Sequence, residues 1–297
     1  MIMRLRRYLC LAIFLAAFIA TTPLEAQDRH TLWQVQSPTN TVYLLGSLHM
    51  LKPEHYPLED ALEGAFSDAR HLVTEADLDE LESPQVMGSI MLKAAYGEGY
   101  SLKTALSPES YGLVENATAD FAAMGVSMQV LNGFKPWFVA VTIVGLRLQK
   151  LGFNPANGVD RFFYKKAKAA GMGLHALETS DFQINLLSTL SDKNQELMLL
   201  QTLRDLEVTE RLFGDIYAAW RNGDVSGLDR LLTESFKEYP DVYEKLIVSR
   251  NQNWVPQIET FLEQDENYLV VVGAGHLIGD QSVVRMLELK GHRVTQR

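Results

Sequence analysis

The sequence has almost no cysteine. Its 297 residues include only Cys10, so the chain can form no internal disulfide and can hold no thiolate-bound metal cluster. Basic side chains are also in the minority, with 27 lysines and arginines against 37 acidic residues and a formal net charge of −10. Because binding a nucleic-acid backbone needs a concentrated basic surface, we do not expect nucleic acid to be the partner.

Long hydrophobic runs are scarce as well. Near the start, basic residues within 4–7 precede an apolar run over residues 8–20, and Ala26 ends a segment typical of signal-peptidase cleavage. A membrane helix needs roughly 20 apolar residues, so this run favours a cleaved signal over a membrane anchor. We expect residues 1–26 to be removed on export, which predicts a periplasmic or secreted protein with no stable membrane span.

Residues 27–297 are predicted to form a single domain, because no linker rich in proline, glycine or serine divides them and no repeat of fixed period occurs. Hydrophobic patterning predicts strands over residues 32–36, 41–45, 71–75, 173–177, 268–272 and 292–296. The pattern between residues 83 and 152 is helical. The predicted fold class is therefore α/β or α+β, with a central mixed sheet flanked by helices and a large helical insertion between its halves.

Helices are also predicted outside that insertion. They cover residues 58–69, 159–170, 194–220, 241–250, 254–263 and 280–290. The segment 194–220 is predicted as one long helix, because its large apolar residues recur at helical spacing.

Two histidines follow apolar strands in the same local pattern, Gly46-Ser47-Leu48-His49 and Gly273-Ala274-Gly275-His276. In open α/β sheets, ligands bind outside the carboxyl ends of the strands. Glycine at such an end lets the backbone turn sharply or approach a ligand closely. The pattern predicts that His49 and His276 share one site, and the alternative is two unrelated histidines that end two strands.

A carboxylate is predicted at the same edge of the sheet. The strand over residues 71–75 ends at Glu75, and Asp77 follows. Two imidazoles and one carboxylate are a common ligand set for a catalytic divalent metal, which lowers the pKa of its bound water. Without thiolates, zinc, manganese, cobalt and iron all suit such a site. Glu75 could instead act as a general base, or orient one histidine through a hydrogen bond.

An arginine and a second glutamate complete the candidate residues. Arg250 precedes the last buried strand, and its planar guanidinium could hold a substrate carboxylate or an oxyanion. The alternative for Arg250 is an ion pair with a surface acid, Glu244 or Glu259. Glu178 ends the strand over residues 173–177 with Gln183 shortly after, and these two form a second tier of candidates together with Asp77.

Six segments, in this order, resemble the TraB/PrgY/GumN family and especially its bacterial GumN-like branch. They are Gly46-Ser47-Leu48-His49, Val73-Thr74-Glu75, Asn157-Gly158-Val159-Asp160, Leu177-Glu178-Thr179 with Gln183, Arg250-Asn251 with Trp254, and Val272-Gly273-Ala274-Gly275-His276-Leu277. The resemblance covers roughly residues 32–295. It implies a superfamily that includes Tiki proteases, erythromycin-esterase-like proteins and haem-uptake ChaN-like proteins. The superfamily's shared site maps here to His49, His276, Glu75 and Arg250.

The resemblance implies a metal-dependent hydrolase, most of all a peptidase. In this interpretation His49, His276 and Glu75 hold a divalent metal ion, such as Mn, Co or Zn, and Arg250 binds an anionic group of a peptide or small-molecule substrate. Two alternatives use the same cleft. One is a non-catalytic protein that binds haem or a peptide, and the other is a metal-independent esterase.

Overall fold

The computed structural model describes residues 29–233, 236 and 239–297. The predicted signal segment, residues 1–26, lies outside these ranges. None of the helices in the described part of the chain has the length and hydropathy that crossing a bilayer requires.

Within the described residues, six strands form one mixed sheet, as predicted. They are β1 (Leu32–Gln36), β2 (Thr41–Ser47), β3 (His71–Thr74), β4 (Gly173–Ala176), β5 (Tyr268–Gly273) and β6 (Val294–Gln296). Their order across the sheet is β4-β3-β5-β2-β1-β6. The strands β2, β3, β4 and β5 run parallel, whereas β1 is antiparallel to both β2 and β6.

The register of the parallel strands sets the position of the site. In β2 and β5, Ser47 lies opposite Gly273, and in β3 and β5, Thr74 lies opposite Val271. Apolar side chains bury β2, β3 and β5 on both faces, as parallel strands in α/β proteins require. Their carboxyl ends therefore meet at one edge of the sheet, where the chain leaves the hydrophobic core.

Helices cover the faces of the sheet and make up the insertion. The longer ones are Asp60–Asp68, Pro84–Ala94, Pro108–Ala119, Pro136–Lys150, Val159–Ala170, Ser180–Ser188, Asp192–Asp205, Thr209–Arg221, Val225–Thr233, Ser249–Leu262 and Val283–Leu289. Short helices cover Leu78–Leu81, Leu102–Ala105, Met128–Leu131 and Pro240–Tyr243, with a π-helical turn at Glu244–Val248. The insertion has its own hydrophobic core, which includes Leu102, Val114, Phe121 and Ile143, and Leu199 of the helix Asp192–Asp205 packs into it.

The helix predicted over residues 194–220 is wrong in one respect, because it is broken in the middle. Two helices, Asp192–Asp205 and Thr209–Arg221, replace it. The hydroxyl of Thr209 donates a hydrogen bond to the carbonyl oxygen of Asp205 at 2.8 Å. Hydroxyl side chains that bond to a preceding carbonyl compete with the helical ladder and bend the chain.

The break predicted between residues 241–250 and 254–263 is also wrong. Ser249–Leu262 is one continuous helix. The side chain of Asn251, in the first turn of this helix, is fully buried and donates to the carbonyl oxygen of Gln281 at 2.7 Å. Tertiary contacts therefore satisfy a polar residue that hydropathy alone places in solvent.

Candidate functional site

The carboxyl edge of the parallel strands brings three of the predicted site residues together around Gly273. The strands β2, β3 and β5 lead to His49, Glu75 and His276 respectively. A Cβ atom built on Gly273 would lie 3.4 Å from Nε2 of His49, 3.3 Å from Oε1 of Glu75 and 3.7 Å from Cδ2 of His276. Because glycine has no Cβ, these three side chains approach the same stretch of backbone, and we call the point where they converge the Gly273 cradle.

His276 is buried and both of its ring nitrogens are hydrogen-bonded. Its Nε2 lies 3.0 Å from Nη1 of Arg250, and its Nδ1 lies 2.6 Å from Oδ1 of Asn251. A guanidinium can only donate, so Nε2 is the acceptor and the ring proton on Nδ1 is donated to Asn251. Burial, helped by the charge of Arg250 and only partly opposed by Glu75, lowers the pKa of His276 to about 3. The imidazole is therefore neutral at physiological pH.

Every N–H group of Arg250 donates a hydrogen bond within the protein. Its Nε and Nη2 donate to the carboxylate of Glu178, with Nη2 2.8 Å from Oε2, and Nη2 also donates to Oε2 of Glu75 at 2.6 Å. Its Nη1 donates to His276 and to the carbonyl oxygen of Leu246. No N–H group is left for the substrate anion that the sequence predicts for Arg250. The guanidinium instead forms a buried ion pair with two carboxylates.

Glu75 is held on both of its carboxylate oxygens. Oε1 accepts from the backbone N–H of Gly273 at 2.7 Å, and Oε2 accepts from Arg250 and from Nε2 of Gln183 at 3.2 Å. Desolvation alone would raise the pKa of Glu75, but the neighbouring histidines, Arg250 and the Gly273 N–H lower it to about 2. Glu75 is therefore ionised, and the second-tier residue Gln183 lies in contact with it.

His49 stands on the open side of the cradle with a carboxylate behind it. Its Nδ1 lies 3.2 Å from Oδ2 of Asp160, at the start of the helix Val159–Ala170. Desolvation opposes the charged form, but Asp160 outweighs it, with Glu75 adding to the effect, and raises the pKa of His49 to about 9. Asp160 belongs to the segment of residues 157–160 that carries the family resemblance, but it is not among the site residues predicted from the sequence.

The other two second-tier residues, Glu178 and Asp77, have different roles. Glu178 belongs to the network, since it accepts from Arg250 and from Nε1 of Trp254 at 2.9 Å. Asp77 caps the helix Leu78–Leu81 and accepts from the hydroxyl of Tyr164 at 2.9 Å. Those contacts give Asp77 a structural role beside the site.

The predicted metal ligands are only partly arranged for a metal. Nε2 of His49 and Oε1 of Glu75 face the cradle, and nitrogen and oxygen atoms of this kind coordinate divalent metals. Nε2 of His276 lies 3.9 Å from Oε1 of Glu75 but already accepts from the cationic Arg250. Among the described residues, no three His, Cys, Asp or Glu side chains are grouped so that they could hold a metal ion. As arranged, these residues do not fit a three-ligand metal centre.

A cavity of about 380 Å³ opens beside the cradle. Its lining includes His49, Glu75 and His276, together with a larger number of apolar side chains. Ser47 also lines it; its side chain is buried, and its hydroxyl has no hydrogen-bond partner among the residues that the structure describes. A volume of this size is within the range of small-molecule and peptide side-chain sites.

Comparison with known proteins gives a consistent result. The model of the TraB/PrgY/gumN family matches residues 31–296. The uncharacterised protein YbaP of Escherichia coli K12 is 26% identical over 245 residues, which cover 82% of this chain and 87% of YbaP. The metalloprotease TIKI2 of Danio rerio is 22% identical over 323 residues, which cover 92% of this chain and 62% of TIKI2. No protein of solved structure matches. The chain belongs to the TraB/PrgY/gumN family.

Proposed function

We propose that this protein is a hydrolase that cleaves peptide bonds in the Gly273 cradle. The observation that carries the proposal is the convergence of His49 and Glu75 on Gly273, at the wall of a cavity large enough for part of a peptide. The similarity to a protein named as a metalloprotease supports the reaction class.

In this proposal, His49 is the general base in its neutral form, which predominates above its raised pKa. A water molecule in the cradle could donate one hydrogen bond to Nε2 of His49 and another to Oε1 of Glu75. As the water oxygen attacks the peptide carbonyl carbon, its proton passes to Nε2. The C–N bond then breaks as the same proton is given to the leaving amine nitrogen. Asp160 accepts from Nδ1, which fixes the ring and stabilises the imidazolium that forms.

Arg250 and His276 are positioning residues in this proposal. His276 accepts a hydrogen bond from Arg250, and Arg250 in turn holds the carboxylate of Glu75 against the N–H of Gly273. The carboxylate of Glu178 accepts a hydrogen bond from the same guanidinium, and Asn251 fixes the tautomer of His276. The network keeps Glu75 ionised and aimed at the cradle before substrate arrives.

A metal-dependent form of the same hydrolase is the second candidate. Two atoms that could coordinate a metal, Nε2 of His49 and Oε1 of Glu75, favour it, as does the name of the TIKI2 relative. His276 could become a third ligand only if Arg250 released Nε2. Manganese, cobalt and zinc would all suit the nitrogen and oxygen donors.

The test is hydrolysis of a peptide library by the purified protein, by His49→Ala and by His292→Ala, a histidine that pairs with Glu259 away from the cradle. We expect turnover with wild type and His292→Ala, and loss with His49→Ala. Turnover that survives EDTA supports the metal-free form, whereas loss with EDTA and recovery with Mn²⁺, Co²⁺ or Zn²⁺ supports the metal-dependent one. Equal activity in all three proteins, or none in wild type under either condition, would refute the proposal.

We also propose that the protein is exported. The support is the basic and apolar sequence before Ala26. N-terminal sequencing of the protein from its own cell should begin at Gln27, and a mature N-terminus at residue 1 would contradict export by this signal.

A further inference from the structure

The cavity beside the cradle is lined on one side by apolar side chains that the proposed chemistry does not use. They include Phe153, Phe213, Ile216, Leu232, Phe236 and Ile247. Ile247 is close to the catalytic edge, because its Cδ1 lies 4.0 Å from where a Cβ of Gly275 would be. The apolar wall therefore reaches the loop that carries His276.

A second cavity, of about 260 Å³, continues this wall. Phe213 and Phe236 line both cavities. Phe213 packs edge-on against Phe153 with ring centroids 5.7 Å apart, and Phe236 packs against Tyr243 at 5.6 Å. The rings of Phe213 and Phe236 thus border two adjoining apolar spaces, one of which opens at the cradle.

The chemistry of these walls selects against charged groups. A charged side chain placed against Phe213, Ile216 and Leu232 would lose its hydration without gaining a partner, which is costly. An apolar side chain gains free energy there in proportion to the surface it removes from water.

We propose that the cavity is a specificity pocket for one large apolar side chain, such as phenylalanine or leucine, next to the peptide bond that is cleaved. This inference rests on the proposed function, since it places the pocket beside the Gly273 cradle. It names the substrate class as peptides with a bulky apolar residue at the cleavage position.

The test measures binding separately from hydrolysis. Two dansyl-labelled pentapeptides that differ only in a central phenylalanine or alanine are titrated by fluorescence anisotropy against wild type, Ile247→Asn and Leu92→Asn. Leu92 is 82% exposed on the outer surface and provides the matched control. We expect wild type and Leu92→Asn to bind the phenylalanine peptide about ten- to hundredfold more tightly than the alanine peptide. In Ile247→Asn we expect that ratio to fall several-fold, with a far-UV circular dichroism spectrum like that of wild type.

The outcomes separate the two proposals. Selective binding that Ile247→Asn weakens, without any hydrolysis, would support the pocket and refute the proposed function. Hydrolysis of both peptides at equal rates and equal affinities would refute the pocket and leave the function standing. If Ile247→Asn fails to fold, Phe236→Ala takes its place, and an unchanged preference in that variant would overturn the inference.

Discussion

Arg250 donates a hydrogen bond from Nη1 to Nε2 of His276, with the two atoms 3.0 Å apart. This contact connects the strand-end histidine to the buried carboxylates of Glu75 and Glu178, which the same guanidinium holds. The sequence predicts His276 as a metal ligand, but this contact makes its Nε2 a neutral hydrogen-bond acceptor. In the proposed function, catalysis is therefore assigned to His49 and Glu75.

The neutral state of His276 predicts a pH dependence of stability. Its folded pKa, about 3, is below its unfolded value of 6.5, so between these values the unfolded chain binds more protons and folding stability rises with pH. From pH 5.0 to 6.5, His276 should add roughly 1–2 kcal/mol to the free energy of unfolding. Urea unfolding across this range should show a smaller rise in His276→Gln than in wild type. Equal slopes would mean that His276 titrates normally in the fold.

Arg250 should matter for stability as well as for activity. Arg250→Met leaves Glu75 and Glu178 buried without their cation, because their side chains are only 15% and 6% exposed. We expect the free energy of unfolding to fall by about 3–5 kcal/mol, as in other broken buried pairs. Arg285→Met, which removes a half-exposed pair with Glu288, should change it by less than about 1 kcal/mol. A comparable loss in both variants would contradict a buried network around Arg250.

Asp160 should set the pH at which His49 works. His49 must be neutral to accept a proton, and Asp160 raises its pKa, so hydrolysis should increase as pH rises through that raised value. In Asp160→Asn the increase should begin at lower pH, and the plateau rate should fall about tenfold or more because the ring is less well held. Rates measured from pH 6 to 10 check both effects. Asp181→Asn, at an exposed pair with Lys93, should keep the wild-type profile, and an unshifted Asp160→Asn profile would rule out the dyad.

The local features of the fold could be predicted from the sequence because they depend on neighbours along the chain. The strand that leads to His49 and the glycines before His276 have local signals of periodicity and turn chemistry. These signals place both histidines at strand ends, and the family resemblance adds the order of the segments. The mixed sheet and the helical insertion follow from the same patterns.

The partners of the site residues could not be predicted, because they depend on contacts between distant segments. Glu178 and Arg250 are 72 residues apart in sequence, and His49 and Asp160 are 111 apart. Sequence spacing predicted only surface acids, on the same helix or near it, as ion-pair partners of Arg250. Burial then decided its role, since an enclosed guanidinium must satisfy all of its donors inside the protein.

The most direct test of the central claim is the rate of peptide hydrolysis by Gly273→Ala. Its backbone angles, φ −52° and ψ 135°, suit alanine, but the new Cβ would enter the cradle within 3.4 Å of both His49 and Glu75. Gly145→Ala is the control, because a Cβ there has no heavy atom within 4 Å. We predict that Gly273→Ala loses at least about 100-fold in kcat/KM, the scale of a displaced catalytic group, while its melting temperature stays near that of wild type. Wild-type hydrolysis by a folded Gly273→Ala would contradict a reaction centred on the cradle.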